Sequence, residues 1–458
     1  MPVQTVIRGG LVATAEAAVH AEIGIHEGRI AAIADRIEGG EVIDVQGCIV
    51  MPGAIDVHTH FDTQLGESTT ADDYESGSRA AAFGGITTYV NYAFQSEGES
   101  LRQAIDRELA KARVKSYVDY SFHPVITRVD GDALAEFESV RDSGFTSLKI
   151  FTAVPGFQLG DEDILAVLDR AAATGMLVNV HAEDGALVQH LTRLLLDDGR
   201  VEMDSLPKAR PDVAEGLATE KIGVYGGVTR CPIYVVHLSS VAALEAARRA
   251  RARGAEIYLE TRPLYLFLTE ESYCLPGHEA RKYVAWPPLR KAFDSDALWD
   301  ALARGEIQTY ATDHTTWKLA QKTDPSLSFA DVPGGVSNVE SSVGMLFSAG
   351  VRTGRISLSR FVAVTSTNPA KLFGMWPRKG TIAVGADADL TIIDPERHVT
   401  IASERMQSSS DFDPHEGYQA VGWPVKTIAR GRLVVDDGQL LAAPGSGELV
   451  RRGVYQPL

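Results

Sequence analysis

His58 and His60 stand two residues apart in the run AIDVHTH. In an extended strand that spacing turns both side chains to one face. Further along, single candidates close other strand-like runs: Lys149 in FTSLKIF, His181 in MLVNVHAE, His237 in IYVVHLS and Asp313 in TYATDHT. Imidazole and carboxylate suit a borderline divalent ion, Zn²⁺ first, with Mn²⁺ or Fe²⁺ as alternatives. Four histidines and an aspartate are too many for one four-coordinate ion that keeps an open position. Two ions roughly 3.5–4 Å apart would use them all. Two adjacent cations need an anion between them. A lysine buried beside them cannot stay an ammonium, because desolvation and like charge both oppose it. A neutral lysine can add carbon dioxide to give a carbamate, so charge balance points to a carboxylated Lys149 as the bridging ligand. Each residue taken singly has a plainer reading: a core histidine, a snorkelling lysine, a helix-capping aspartate. One metal centre explains all six better than six coincidences at matching strand ends.

The elements that position these residues alternate. From residue 53 the chain runs strand, helix, strand, helix, with eight candidate strands at 54–60, 86–94, 117–126, 145–151, 176–183, 233–239, 256–262 and 309–315. Several are continuous apolar runs, the mark of parallel strands covered on both faces. Between them, Leu101, Ile105, Leu109 and Ala112 fall at helical spacing, and Ser100 with Gln103 forms a capping box before them. Gly144, Gly175, Gly254 and Gly305 each stand where a helix must stop before the next strand. Eight such units predict a (β/α)8 TIM-like barrel over residues 53–378, with its site at the strand C-terminal ends. A doubly wound open sheet would carry a Gly-rich phosphate turn after the first strand, and this chain has none there. Residues 1–52 and 379–440 read as short antiparallel strands with glycine turns, and together predict one small β domain built from both chain ends. Residues 441–458 read as an extended tail that could reach a neighbouring copy.

Composition narrows the partners. The 458 residues carry 44 basic and 61 acidic side chains, a net charge of −17. So acidic a surface disfavours nucleic acid. The densest basic cluster, Arg248, Arg249, Arg251 and Arg253, reads as a solvated helix face. No apolar run reaches the roughly 18 residues of a membrane span, and the opening MPVQTVIRGG has no signal-peptide pattern. The three cysteines, Cys48, Cys231 and Cys274, form no C-x-x-C pair, which points to a reduced, cytoplasmic setting.

The motifs MPGAIDVHTH, FTSLKIF, VNVHAEDG, VVHLSS, YATDH and NPAKLFGMWPRKGTIAVGADADL resemble the hydantoinase and dihydropyrimidinase branch of the amidohydrolase superfamily, over about residues 3 to 440. SRAAAFGGITTYV, RKYVAWPPLR and DFDPHEGY narrow the likeness to that branch. The resemblance implies a metal-dependent barrel beside a β-sandwich, and a homotetramer or homodimer. It implies that His58, His60 and Asp313 bind the more buried metal and that His181 and His237 bind the other, with carboxylated Lys149 between. It implies hydrolysis of a small cyclic amide, a hydantoin, dihydropyrimidine or related imide or lactam, by a metal-bridging hydroxide. Asp313 would carry the proton to the leaving ring nitrogen. An allantoinase-like activity is the near alternative. Dihydroorotate would need a basic partner, and His60-Phe61-Asp62-Thr63 offers none. A non-catalytic scaffold would have lost ligands, and this chain keeps all six.

The chain departs from the family around the substrate. Val154, followed by Pro155, stands where the family carries an oxyanion-donating tyrosine five residues after the lysine. Losing such a donor typically costs about 3–4 kcal/mol of transition-state stabilisation. Tyr92 or Thr152 are candidate replacements. Trp286 replaces a serine, Gly334 an asparagine, and His314-Thr315-Thr316-Trp317 the usual residues after the metal aspartate. Trp286 and Trp317 offer flat apolar surface, which predicts a changed pocket suited to a bulky or aromatic substituent.

Overall fold

A computed structural model describes residues 3–66 and 68–458. Eight parallel strands lie in chain order in one sheet: β1 (Ala54–Thr59), β2 (Ile86–Phe94), β3 (Asp119–Val125), β4 (Ser147–Phe151), β5 (Leu177–His181), β6 (Ile233–Val235), β7 (Ile257–Thr261) and β8 (Thr309–Tyr310). A parallel bridge between Thr59 and His314 joins the first strand to the segment after the last and closes the barrel. Every residue of β1 to β5 is buried, as expected with helices outside and packed side chains within. Two strands stop earlier than the apolar pattern suggests, β6 at Val235 and β8 at Tyr310. Beyond them φ turns positive at His237 (41°) and Asp313 (51°), which ends extended pairing.

The local signals in the helices hold. Ser100 Oγ accepts the Gln103 N–H and Gln103 Oε1 accepts the Ser100 N–H, opening the helix Leu101–Lys115. Gly175 and Gly305 end their helices in the left-handed region, at φ of 69° and 79°. The basic cluster is met by acid: Arg248 pairs with Glu245 and Glu306, and Arg249 and Arg253 pair with Glu220.

Both chain ends build one seven-stranded sheet, in the order Gln439–Leu440, Arg432–Asp436, Gln419–Ala429, Leu390–Thr400, Ile49–Pro52, Leu11–Ala13, Ala18–His20. A four-stranded sheet, from Thr5–Arg8, Glu22–His26, Arg29–Ala34 and Glu41–Asp44, shares its core. Ile7, Ile23 and Ile25 pack in one cluster with Val50, Leu390 and Ile392. Pairing is not antiparallel throughout. Thr5–Arg8 runs parallel to Glu41–Asp44, and Leu11–Ala13 runs parallel to Ile49–Pro52. The intervening hairpin is the crossover that returns the chain in the same direction.

The last residues run along the N-terminal base of their own barrel. Val450 N–H donates to Tyr120 O at 2.7 Å and Gly453 N–H to Gly374 O at 2.7 Å. Arg452 is buried there. Its guanidinium donates to Ser121 Oγ (3.0 Å), Ser147 Oγ (2.8 Å) and Phe122 O (2.6 Å). Arg452→Ala would strand buried acceptors at about 1–3 kcal/mol each. It should therefore lower the thermal unfolding midpoint clearly. An unchanged midpoint would show that the tail does not hold the base.

Candidate metal centre

All six candidate residues reach one cavity of about 320 Å³ at the C-terminal mouth of the barrel. His58 lies in β1 and His60 follows it, Lys149 lies in β4, and His181 ends β5. His237 and Asp313 sit in the turns just past β6 and β8. Their positive φ values put strain of order 1–3 kcal/mol on each non-glycine backbone, a cost the surrounding packing must hold in place.

The contacts fall into two sets. His58 Nε2 and His60 Nε2 approach the same oxygen, Asp313 Oδ1, at 3.0 and 3.2 Å. His181 Nδ1 faces His237 Nε2 at 3.0 Å. The His58 and His237 rings, 5.5 Å apart, join the sets. Lys149 Nζ is buried with no hydrogen-bond partner among the described residues, 5.0 Å from the Tyr92 ring centre and 4.9 Å from that of Phe151.

Carboxylates behind the histidines fix which nitrogen points inward. Glu260 Oε1 lies 2.7 Å from His58 Nδ1 and also accepts the His237 backbone N–H. Glu183 Oε2 lies 2.7 Å from His181 Nε2, and Arg210 Nε donates to Glu183 Oε1 at 3.1 Å. Arg262 donates to Asp313 Oδ2 from behind. The sequence reading passed over Glu183, Glu260, Arg210 and Arg262. Only Glu183 had a local signal, standing two residues after His181.

With Nδ1–H given to Glu260, His58 Nε2 presents a lone pair to a carboxylate oxygen. With Nε2–H given to Glu183, His181 Nδ1 presents one to His237. At His58 a proton or a cation must lie between the ring and Asp313, whereas a ring N–H on His60 Nε2 or on His237 Nε2 satisfies the other two contacts. Four buried imidazoles, an ionised carboxylate and a buried lysine without a partner among the described residues, all on one cavity, fit divalent ions. Burial pulls His60 down to about 4 and holds His181 and His237 below their usual range, so these imidazoles are neutral and free to ligate. Burial likewise brings Lys149 down to about 7, far toward the neutral amine that a carbamate requires. Burial opposes charge on His58, but Glu260 and Asp313 outweigh it and raise its pKa. Burial also favours a protonated Asp313, but His58 and Arg262 outweigh it and keep the carboxylate ionised.

The four altered pocket positions also line this cavity. Trp317 Nε1 donates to Gly334 O at 2.8 Å. A Cβ on Gly334 would stand 3.2 Å from the Trp286 ring, so the glycine leaves room for the tryptophan. Val154 stands beside Phe157 on the cavity wall. Neither proposed replacement lines the cavity. Thr152 Oγ1 is spent on His181 O (2.7 Å) and Glu183 O (2.6 Å). The Tyr92 hydroxyl is buried against Asn179 Nδ2. Ser68 and Thr315 are the hydroxyl side chains that do line the cavity among the described residues.

Comparison with known proteins places the chain. Residues 49–434 match the model of the amidohydrolase family. The D-hydantoinase of Geobacillus stearothermophilus is 40% identical over 457 residues, covering 99% of this chain and 97% of that protein. The structure of dihydropyrimidinase from Brevibacillus agri NCHU1002 superposes with a TM-score of 0.96 at 39% identity, covering 98% of this chain and 99% of the other. D-hydantoinase from Bacillus sp. AR9 gives a TM-score of 0.97 at 41% identity, covering 99% and 100%. The chain belongs to the amidohydrolase family, in its hydantoinase and dihydropyrimidinase branch.

Proposed function

We propose that this protein is a binuclear metal-dependent hydrolase that opens a cyclic amide ring: a hydantoin, a dihydropyrimidine or a related imide or lactam. The observation that carries the reading is the double convergence at the barrel mouth, His58 and His60 on Asp313 and His181 on His237, with Lys149, unpartnered among the described residues, in the same cavity. His58, His60 and Asp313 would hold one cation and His181 and His237 the second, with Lys149, carboxylated, shared between them. Zinc suits this histidine and carboxylate set. Two such ions, when bound, lower the pKa of water toward neutrality and polarise a carbonyl.

The chain's own residues do the rest. Glu260 and Glu183 hold the His58 and His181 rings in one tautomer. Asp313 stays ionised, ready to accept a proton from the attacking water and pass it to the ring nitrogen as the C–N bond breaks. The apolar outer wall, including Phe94, Phe151 and Trp317, keeps bulk water from the reacting carbonyl. A hydantoin would leave as an N-carbamoyl amino acid.

Glu183→Gln and Glu260→Gln should each weaken metal affinity about 10–100-fold with the fold intact. Competition with a chromogenic chelator measures it, and wild-type affinity in both would remove these carboxylates from the design. The test of the reaction is ring-opening turnover by metal-analysed protein on hydantoin, 5-phenylhydantoin, dihydrouracil, allantoin and bulkier imides. Turnover of hydantoins or dihydrouracil supports the reading. Turnover of allantoin alone would favour the allantoinase-like alternative, and turnover of none with two metals bound would contradict this substrate assignment.

We also place the protein in the cytoplasm as a homo-oligomer. Its three cysteines are all free, and no described helix is long and apolar enough to cross a membrane. Val213, Leu217, Val224 and Val228 lie exposed along one face of the helix Asp212–Thr229, a stripe suited to a second copy. Sedimentation should give a dimer or tetramer. A monomer at all concentrations would contradict it.

A further inference from the structure

The cavity that gathers the six candidate metal ligands has a neighbour. Pro155 and Trp286 line it, and the same two residues line a second cavity of about 340 Å³, as large as the first. Two loops serve both. The loop after β4 gives Val154 to the first and Ala153 to the second. The loop at 329–335 gives Pro333 to the first and Phe329 to the second. The helix Gly185–Asp197 closes the second cavity with Val188 and Thr192.

Trp286 and Pro155 form the wall the two cavities share. The Arg210 guanidinium lies 4.9 Å from the Trp286 ring centre, and Gly334 lies close against the ring because it has no side chain. The candidate metal ligands form one end of the first cavity, and Phe94, Phe157 and Trp317 make much of its outer wall apolar, with Ser68 and the exposed Asp331 as its polar members there. The apolar surface resumes beyond Trp286 at Val188, Leu206 and Phe329. Arg210, the charge nearest the Trp286 ring, is already neutralised by Glu183. Arg193 and Asp197 are exposed on the helix that closes the second cavity. A ring bearing only a phenyl group would leave this second apolar space to water.

We propose that the substrate is a cyclic amide with a long alkyl or arylalkyl arm, which crosses over the shared Trp286–Pro155 wall and ends in the second cavity. This rests on the ring-opening reading above, because the arm is attached to that substrate. Trp286, with Gly334 made small to admit it, thereby becomes the residue that guides the arm.

The test uses the metal-loaded enzyme and a series of 5-substituted hydantoins, from 5-methyl to 5-(4-phenylbutyl). Affinity is read by calorimetry and turnover as kcat/KM. Once the arm passes Trp286, affinity should rise about fourfold for each added methylene that is buried. Ala330→Trp and Thr192→Trp fill the second cavity from two different elements, outside the metal site and at positions that are not fully buried. Each should cost the longest arms about tenfold or more in affinity, the loss of roughly two buried methylenes, and leave 5-methylhydantoin unchanged. Affinity that stays flat or falls with arm length, or long arms indifferent to both substitutions, would overturn the proposal. If the series binds with the expected length dependence yet no ring opens, the arm site stands and the ring-opening reading falls.

Discussion

Lys149→Ala is expected to leave a folded barrel that has lost at least one metal equivalent and about 10³-fold or more of its ring-opening activity, because groups that act as a unit fail together. The side chain is buried, has no hydrogen-bond partner among the described residues, and is brought by burial down to a pKa of about 7. A lysine kept only for stability would find a carboxylate or carbonyls, as Lys379 does with Asp119 and Asp389. Lys149 instead touches aromatic faces and looks into the cavity. Metal analysis and turnover on one preparation check the result, with circular dichroism as the control for folding. Carbon-13 NMR of wild-type protein prepared in labelled bicarbonate should show one carbamate resonance. Full metal loading and activity in Lys149→Ala would remove the bridge from the account.

Asp313→Asn should bind a 5-substituted hydantoin about as well as the parent yet turn it over about 10³-fold more slowly, the scale of a lost general acid–base. The carboxylate is the one group that both histidines of the first pair approach and that Arg262 backs. An asparagine keeps the shape and can still offer an oxygen, but it cannot take a proton. Calorimetric affinity with single-turnover kinetics separates binding from chemistry. Near-normal turnover would assign the proton to another group.

Much of this was legible in the sequence because its signals are local. Strand-like runs, several of them continuously apolar, marked the eight barrel strands, and residue type at strand ends marked His58, His60, Lys149, His181, His237 and Asp313 as candidates. The Ser100 box and the helix-ending glycines were readable from adjacent residues. What escaped depends on contacts between distant segments. Glu260 reads as one polar residue inside β7 until the barrel sets it against His58, which is 202 positions away. Arg262 meets Asp313 across 51 positions. The parallel pairing of Thr5–Arg8 with Glu41–Asp44 is fixed by which sheet edge is open, and alternation along a strand does not reveal that. The tail folds back on its own barrel because Arg452 finds Ser121, Phe122 and Ser147 there, partners with no mark in the tail's own composition.

The same distinction separates the metal site from the pocket. The ligand set depends on a few fixed residue types, so it can be read directly. The pocket depends on side chains fitted to one another. Trp286, Gly334 and Trp317 look like three unrelated departures in sequence, yet they form one packed wall in the fold. Tyr92 and Thr152 do not line the cavity, and Thr315 Oγ1 donates to Asp313 O, which leaves Ser68 as the described lining hydroxyl best placed to act as an oxyanion donor.

The most direct measurement is a metal titration read by ring opening. Protein stripped with a chelator would receive zinc in small increments while hydrolysis of a 5-substituted hydantoin is followed. The account predicts no turnover without metal and a rise that reaches its plateau at two equivalents per chain. Turnover by the stripped protein, or a plateau at one equivalent, would contradict a binuclear centre held by these six residues.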